Sequence, residues 1–202
     1  GYDLAKLHFI AYHKDGLGDA SKRPITFSFN GGPGSSSVWL HLGALGPKRV
    51  KMTEKGGTLP PPYELVDNEY SWLDKTDLVF IDPMLTGFTR PAEGKKKEDY
   101  TGFENDLKLV GDFIYQYLGK TNRWASPKFI CGESYGTTRA AGLSGYLQNR
   151  HGLYVNGLMM VSAIMNFQAS RFSAGNDLPQ PLHLPTFAAT SWYHGQLDKK
   201  YS

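Results

Sequence analysis

The sequence predicts an α/β fold, a mostly parallel sheet with helices on both faces. Short apolar or alternating runs take turns along the chain with longer stretches of helical period. One of the short runs, Leu78 to Ile81, is apolar throughout, which suits a strand covered on both faces. The chain has 202 residues, 40% of them hydrophobic and 20% charged, enough to close one good core.

Taken in order, Leu7 to Tyr12 reads as a strand, and Gly16, Gly18 and Asp19 as the turn after it. Pro24 to Phe29 is a second strand, with Ile25, Phe27 and Phe29 alternating. A glycine-rich turn follows at once, Asn30-Gly31-Gly32-Pro33-Gly34-Ser35-Ser36-Ser37. Gly56 to Pro62 is a loop ending in three prolines. Gly102 to Leu118 carries Phe103, Leu107, Val110, Ile114, Tyr117 and Leu118 at helical spacing. Phe129 to Cys131 is the next strand, Thr137 to Arg150 the next helix, and Gly157 to Val161 a strand again. From Arg171 to Gln196, Pro, His and aromatic residues follow no clear period. Residues 1–166 are therefore expected to form the N-terminal part of the core, incomplete at its C-terminal side. Residues 167–202 are expected to be the start of a cap or lid insertion, or an irregular tail.

Composition excludes several classes of function. A net charge of +3 is too small and scattered for nucleic acid, and Lys95-Lys96-Lys97 is followed at once by Glu98 and Asp99. No apolar stretch is long enough for a membrane span. Gly1 to Lys6 shows no export signal, which says little about compartment because a trimmed chain would look the same. The single cysteine, Cys131, cannot form an internal disulfide, and its apolar neighbours make it a core residue rather than a reactive thiol. The sequence calls for no metal and no cofactor.

Two motifs carry chemistry. Gly132-Glu133-Ser134-Tyr135-Gly136 has the form of a nucleophile elbow, since an apolar strand precedes it and a helix follows. Its glycines allow the close strand-to-helix approach, and Ser134 sits at the apex as candidate nucleophile. Asn30-Gly31-Gly32-Pro33-Gly34 leaves an earlier strand, and its bare backbone can approach a ligand oxygen. The alternatives are a tight turn or a phosphate-binding loop, and the lack of a following Gly-Lys-Ser/Thr argues against a P-loop. In α/β-hydrolases one oxyanion donor comes from such a loop and the other from the residue after the nucleophile, which nominates the N–H groups of Gly32 and Tyr135.

These two motifs together resemble the serine carboxypeptidase family. Further similarity lies in Leu45-Gly46-Pro47, in Asn68-x-x-Ser71-Trp72, and in Phe80-Ile81-Asp82-Pro83 with Thr86-Gly87-Phe88. The resemblance runs from about Leu7 to Asn166 with order and spacing kept. It implies an α/β-hydrolase fold and release of C-terminal residues from peptides through an acyl-enzyme on Ser134. The implied partner is a peptide with a free C-terminus, its carboxylate held by Asn30, Gly31 and Glu133. A carboxylate against Glu133 requires a shared proton, so binding is expected to weaken as pH rises. The family also implies a periplasmic or secreted location, and the lone cysteine hints at a bacterial member.

This sequence departs from the family at Phe29, where Trp is common, at Ala44, where Glu is common, and at Met84-Leu85. The loss of the Glu that belongs to the carboxylate-binding network keeps two alternatives open. One is an acyltransferase or esterase on the same fold, the other a non-catalytic binding domain. A triad also needs an Asp and a His after the serine. His151 sits near a helix end, and His183 and His194 lie in the irregular tail, where Asp177 or Asp198 would be the acids by order alone. None has a strand to support it, so the acid and base are expected to be absent from this chain.

Overall fold

The computed structural model describes residues 5–198 and Lys200. The chain divides after Ala163 into two compact units. In the first unit the strands are β1 (Ala5–Lys6), β2 (Phe9–Tyr12), β3 (Ile25–Phe29), β4 (Lys48–Val50), β5 (Leu65–Asp67), β6 (Asp77–Ile81), β7 (Arg90–Pro91), β8 (Lys128–Glu133) and β9 (Gly157–Val161). Its helices are α1 (Val38–Leu40), which widens into a π-helical turn at His41–Leu45, α2 (Phe103–Lys120) and α3 (Tyr135–His151).

A five-stranded sheet in the order β2-β6-β3-β8-β9 forms the centre. β3 runs parallel to β6 and β8, β8 runs parallel to β9, and only the edge strand β2 is antiparallel to its neighbour. The fold is thus α/β with a mixed, mostly parallel sheet. β9 matches the expected strand to the residue, the other four strands of this sheet start and stop within two residues of expectation, and the short strands β1, β4, β5 and β7 were not expected. The Gly56 to Pro62 loop lies between β4 and β5, which pair antiparallel as a small separate ribbon.

Alternation in β3 suggested one buried face, yet all five of its residues are buried. A strand between two parallel neighbours is covered on both sides, so Thr26 and Ser28 are enclosed as fully as Ile25, Phe27 and Phe29. Thr26 offsets this by a hydroxyl–hydroxyl bond to Thr76 at 2.8 Å.

Both faces of the sheet carry helical segments, though unevenly. Ile25, Phe27, Phe29, Val79, Ile81 and Ile130 form one core with Leu107, Val110, Ile114 and Leu118 of α2 and Ala140, Leu143 and Leu147 of α3. Both long helices therefore share this face. Leu78, Phe80 and Cys131 face the other way, onto Leu40 and Leu45 of the short helical segment, with Trp72 and Leu73 alongside. Burial of each large apolar side chain contributes about 1.5–3 kcal/mol, so the first core dominates stability.

Asp77 anchors the N-terminal end of the sheet. Its carboxylate, 2% exposed, accepts from Arg123 Nη1 at 2.6 Å, Arg23 Nε at 2.7 Å and His13 Nδ1 at 3.2 Å. Burial pushes the Asp77 pKa up, but the bonds from Arg123, Arg23 and His13 outweigh it and leave the carboxyl below its usual range. Cys131 is fully buried, and burial pushes its thiol up to about 11, as an inert core residue requires.

In the second unit, the stretch Arg171 to Gln196, which shows no clear period in the sequence, is not irregular throughout. A helix, α4 (Pro179–Tyr193), occupies much of it. Pro179 and Pro181 fall in its first turn, where no intrahelical N–H bond is needed, and only Pro185 interrupts the interior. Leu182, Leu184, Phe187 and Trp192 are exposed, so no apolar stripe revealed the helical period. Among the described residues, no helix is long and apolar enough to cross a membrane.

Candidate active site

The two glycine turns meet at the C-terminal ends of β3 and β8, neighbours in the middle of the sheet. β8 ends at Glu133, and α3 starts at Tyr135. Ser134 alone makes the reversal, at φ 57 and ψ −123. A positive φ strains any non-glycine residue by about 1–3 kcal/mol and persists only where the surroundings enforce it. Here Ser134 N–H donates to Val161 O of β9 at 2.9 Å, and Ser134 O accepts from the N–H and hydroxyl of Thr137 at 2.9 and 2.7 Å. A side-chain carbon on Gly132 would come within 2.0 Å of Gly136 O, so only glycine lets strand and helix close at this bend.

The other turn lies directly against this elbow. A side-chain carbon on Gly31 would sit 2.5 Å from Tyr135 N and 2.7 Å from Gly136 N. The backbone of the Asn30–Gly34 turn is therefore in contact with the first turn of α3. Ser35 N–H closes the loop onto Gly31 O at 3.1 Å. Within this unit the N–H groups of Gly32 and Tyr135 bond to no described residue; Gly32 lines the cleft, and Tyr135 follows Ser134 at the head of α3. Unspent amides at a helix start favour negative charge.

Asn30, Gly32, Ser35, Trp39, Leu40, Glu133 and Ser134 line an open cleft of about 530 Å³. Asn30 is 1% exposed and is held on two sides. Its Oδ1 accepts from Leu40 N–H at 3.0 Å, and its Nδ2 donates to Glu133 Oε2 at 3.0 Å. That last bond turns the Glu133 carboxylate toward the cleft that Ser134 shares. All six site residues expected from sequence are thus brought together, from two segments about a hundred positions apart. Trp39, 69% exposed at the cleft rim, was missed. Its place right after the glycine turn was the available signal. A second cavity, about 320 Å³, lies along the far side of the glycine turn between Gly34, Met84, Leu85, Phe103 and Tyr135.

No base is paired with Ser134 within this unit, where its hydroxyl has no hydrogen-bond partner among the described residues. The histidines are engaged elsewhere. His8 bonds Asp82 at 3.1 Å, His13 bonds Asp77, and His41 bonds Tyr12 at 2.8 Å. His151, the last residue of α3, bonds Asp112 at 2.9 Å and stacks on Tyr115. In the second unit His183 Nδ1 lies 2.9 Å from Pro179 O, with its ring beside Phe172 and Phe187, and His194 packs edge-on against Tyr193. Among the described residues no group of His, Cys, Asp and Glu is arranged to hold a metal ion.

The family model for serine carboxypeptidases matches residues 3–198. The chain belongs to the serine carboxypeptidase family. Its relatives include serine carboxypeptidase-like 7 of Arabidopsis thaliana, 34% identical over 116 residues, which cover 55% of this chain and 25% of that protein. Serine carboxypeptidase-like 20 of the same plant is 32% identical over 120 residues, 57% of this chain and 22% of the relative. The pheromone-processing carboxypeptidase KEX1 of Saccharomyces cerevisiae is 38% identical over 120 residues, 56% of this chain and 15% of the relative. The chain thus spans a quarter or less of the length of these relatives.

Proposed function

We propose that this chain carries the nucleophile half of a serine-type carboxypeptidase built on an α/β-hydrolase core. Ser134 attacks the carbonyl of the last peptide bond and forms an acyl-enzyme, releasing the C-terminal residue. Water then frees the acyl group. The negative charge that develops on the carbonyl oxygen is stabilised by the N–H groups of Gly32 and Tyr135. Asn30, Gly31 and Glu133 hold the terminal carboxylate of the substrate, and Glu133 shares a proton with it.

The observation that carries this reading is the strained Ser134, φ 57, at a strand–helix junction against which the Asn30–Gly34 backbone packs. Two unbonded N–H groups on adjoining turns and a carboxylate oriented by Asn30 suit a tetrahedral oxyanion beside a free C-terminus. Because Ser134 has no base in its own unit, the reading places the Asp and His of the triad outside that unit. Residues 1–166 then form the hydrolase core and 167–202 the start of its cap. With the base removed, an oxyanion hole and binding site alone retain about 1,000- to 10,000-fold catalysis over water.

Ala44, where the family commonly has Glu, favours a second reading, an esterase or acyltransferase with relaxed demand for a free carboxylate. The test compares N-blocked dipeptides with a free C-terminal acid against the same peptides as C-terminal amides. Cleavage of the acids with Ser134→Ala inactive supports the carboxypeptidase reading. Equal cleavage of simple esters and amides supports the second. A folded protein whose Ser134 is inert to fluorophosphonates supports a binding domain instead.

A further inference from the structure

The two oxyanion donors belong to different elements, Gly32 to the loop after β3 and Tyr135 to the head of α3. The contact between Gly31 and Tyr135 stops them from approaching further, but a steric stop does not prevent them from parting. The β3–β8 ladder and the Asn30–Glu133 bond hold the two segments together up to the turns, and a further attractive contact is needed beyond them to fix the donors. From the geometry we infer that Arg139 is the residue that clasps the two halves of the oxyanion hole. This rests on the reading of Ser134 as nucleophile.

Arg139 lies one turn along α3 from Tyr135 and is 2% exposed, among the largest fully buried side chains. Its Nη1 donates to Asn30 O at 2.8 Å, the carbonyl just before Gly31 and Gly32. Its Nε donates to Asp106 Oδ2 of α2 at 2.7 Å. The guanidinium carbon lies 5.1 Å from the ring centre of Phe29, the last residue of β3, and 5.1 Å from that of Tyr135. One planar cation therefore ties the end of β3, the glycine turn, the elbow helix and α2 to a single point.

Buried ion pairs are poor devices for stability, since desolvation offsets much of their attraction and an apolar pair often serves as well. This one is placed where position matters most. The Arg139–Asp106 pair is neutral as a unit, so it acts through geometry rather than through charge on the oxyanion. Arg139 is thus a positioning residue and touches no reacting atom. Lysine cannot replace it, because one ammonium cannot hold both acceptors in the same directions or fill a flat slot between two rings.

The test uses Arg139→Lys and Arg139→Met in the full chain, with two readouts. The first is the amide ¹H–¹⁵N signals of Gly31, Gly32 and Tyr135, with β2 and β6 amides as remote controls. The second is the rate of Ser134 phosphonylation, compared between a fluorophosphonate and its P=S analogue, which accepts oxyanion-hole hydrogen bonds poorly. With Arg139→Lys, the β2 and β6 amides stay in place while those of Gly32 and Tyr135 shift or split. Labelling falls about 10- to 100-fold, and the preference for P=O over P=S shrinks. Unmoved Gly32 and Tyr135 amides in folded Arg139→Lys overturn the inference. If both Arg139 variants fail to fold, the same amides in Asp106→Asn decide it, and unchanged signals there overturn it. A wild-type chain whose Ser134 resists both probes defeats the nucleophile reading instead, and the amide signals still judge the clasp.

Discussion

Replacing Gly31 by alanine tests the meeting of the two turns by steric means alone. Gly31 does not have the positive φ that restricts side chains, so alanine can adopt its backbone. The new methyl, however, would lie 2.5 Å from Tyr135 N, 2.6 Å from Glu133 O and 2.7 Å from Gly136 N, all main-chain atoms with no rotamer to yield. Ordinary contact begins at 3.4 Å, so the loop and elbow must separate by about 0.9 Å (3.4 − 2.5). A displacement of about 1 Å at a reacting centre costs roughly 100-fold in rate, and complete loss of one oxyanion donor about 100- to 1,000-fold. Overpacking should also lower stability by about 1–3 kcal/mol. The assay is the second-order rate of Ser134 phosphonylation by intact mass, beside urea unfolding of the same sample. Gly18→Ala is the control, since nothing lies within 4 Å of its new methyl and neither quantity should move. A folded Gly31→Ala that labels within about threefold of wild type would refute the claim that the Gly31 backbone sets the oxyanion geometry.

The remaining predictions bear on the same architecture. Gly132→Ala, whose methyl would meet Gly136 O at 2.0 Å, should prevent the elbow from closing and yield a chain with an early, broad urea transition. Asp77→Asn leaves Arg23 and Arg123 without their buried carboxylate and should cost about 3–5 kcal/mol in urea unfolding at pH 7. Because the folded-state pKa of Asp77 is depressed, its contribution is present above the unfolded carboxyl pKa and lost as pH falls through the lower folded value. Asp77→Asn should therefore flatten the acid limb of stability against pH, and an unchanged limb would contradict the ion network. Iodoacetamide should spare Cys131, with its thiol at about 11, in native protein at pH 8 and alkylate it only after unfolding.

The five strands of the central sheet and both long helices of the first unit were legible because burial marks them, whereas the two- and three-residue strands β1, β4, β5 and β7 are too short to show a pattern. Leu78–Ile81, buried on both faces, announced itself by lacking any polar position, whereas Thr26 and Ser28 hid the same burial in β3 behind small hydroxyls that parallel strands can enclose. The helix at Pro179–Tyr193 was illegible for the opposite reason. Its apolar side chains are exposed on several sides, and its prolines suggest a break where two of them sit harmlessly in the first turn. At the site, Asn30, Gly31, Gly32, Glu133, Ser134 and Tyr135 could be named because elbow and glycine turn are local patterns. Asp106 and Arg139 could not, since their roles arise only when α2, α3 and β3 are packed together.

The two glycine turns converge on one point, which a phosphonate trapped on the protein would display directly. In a crystal structure of that adduct, the phosphorus should be bonded to Ser134 Oγ. Its free oxygen should lie about 2.7–3.1 Å from both Gly32 N and Tyr135 N. An adduct whose oxygen faces solvent, or a probe attached to another residue, would contradict it.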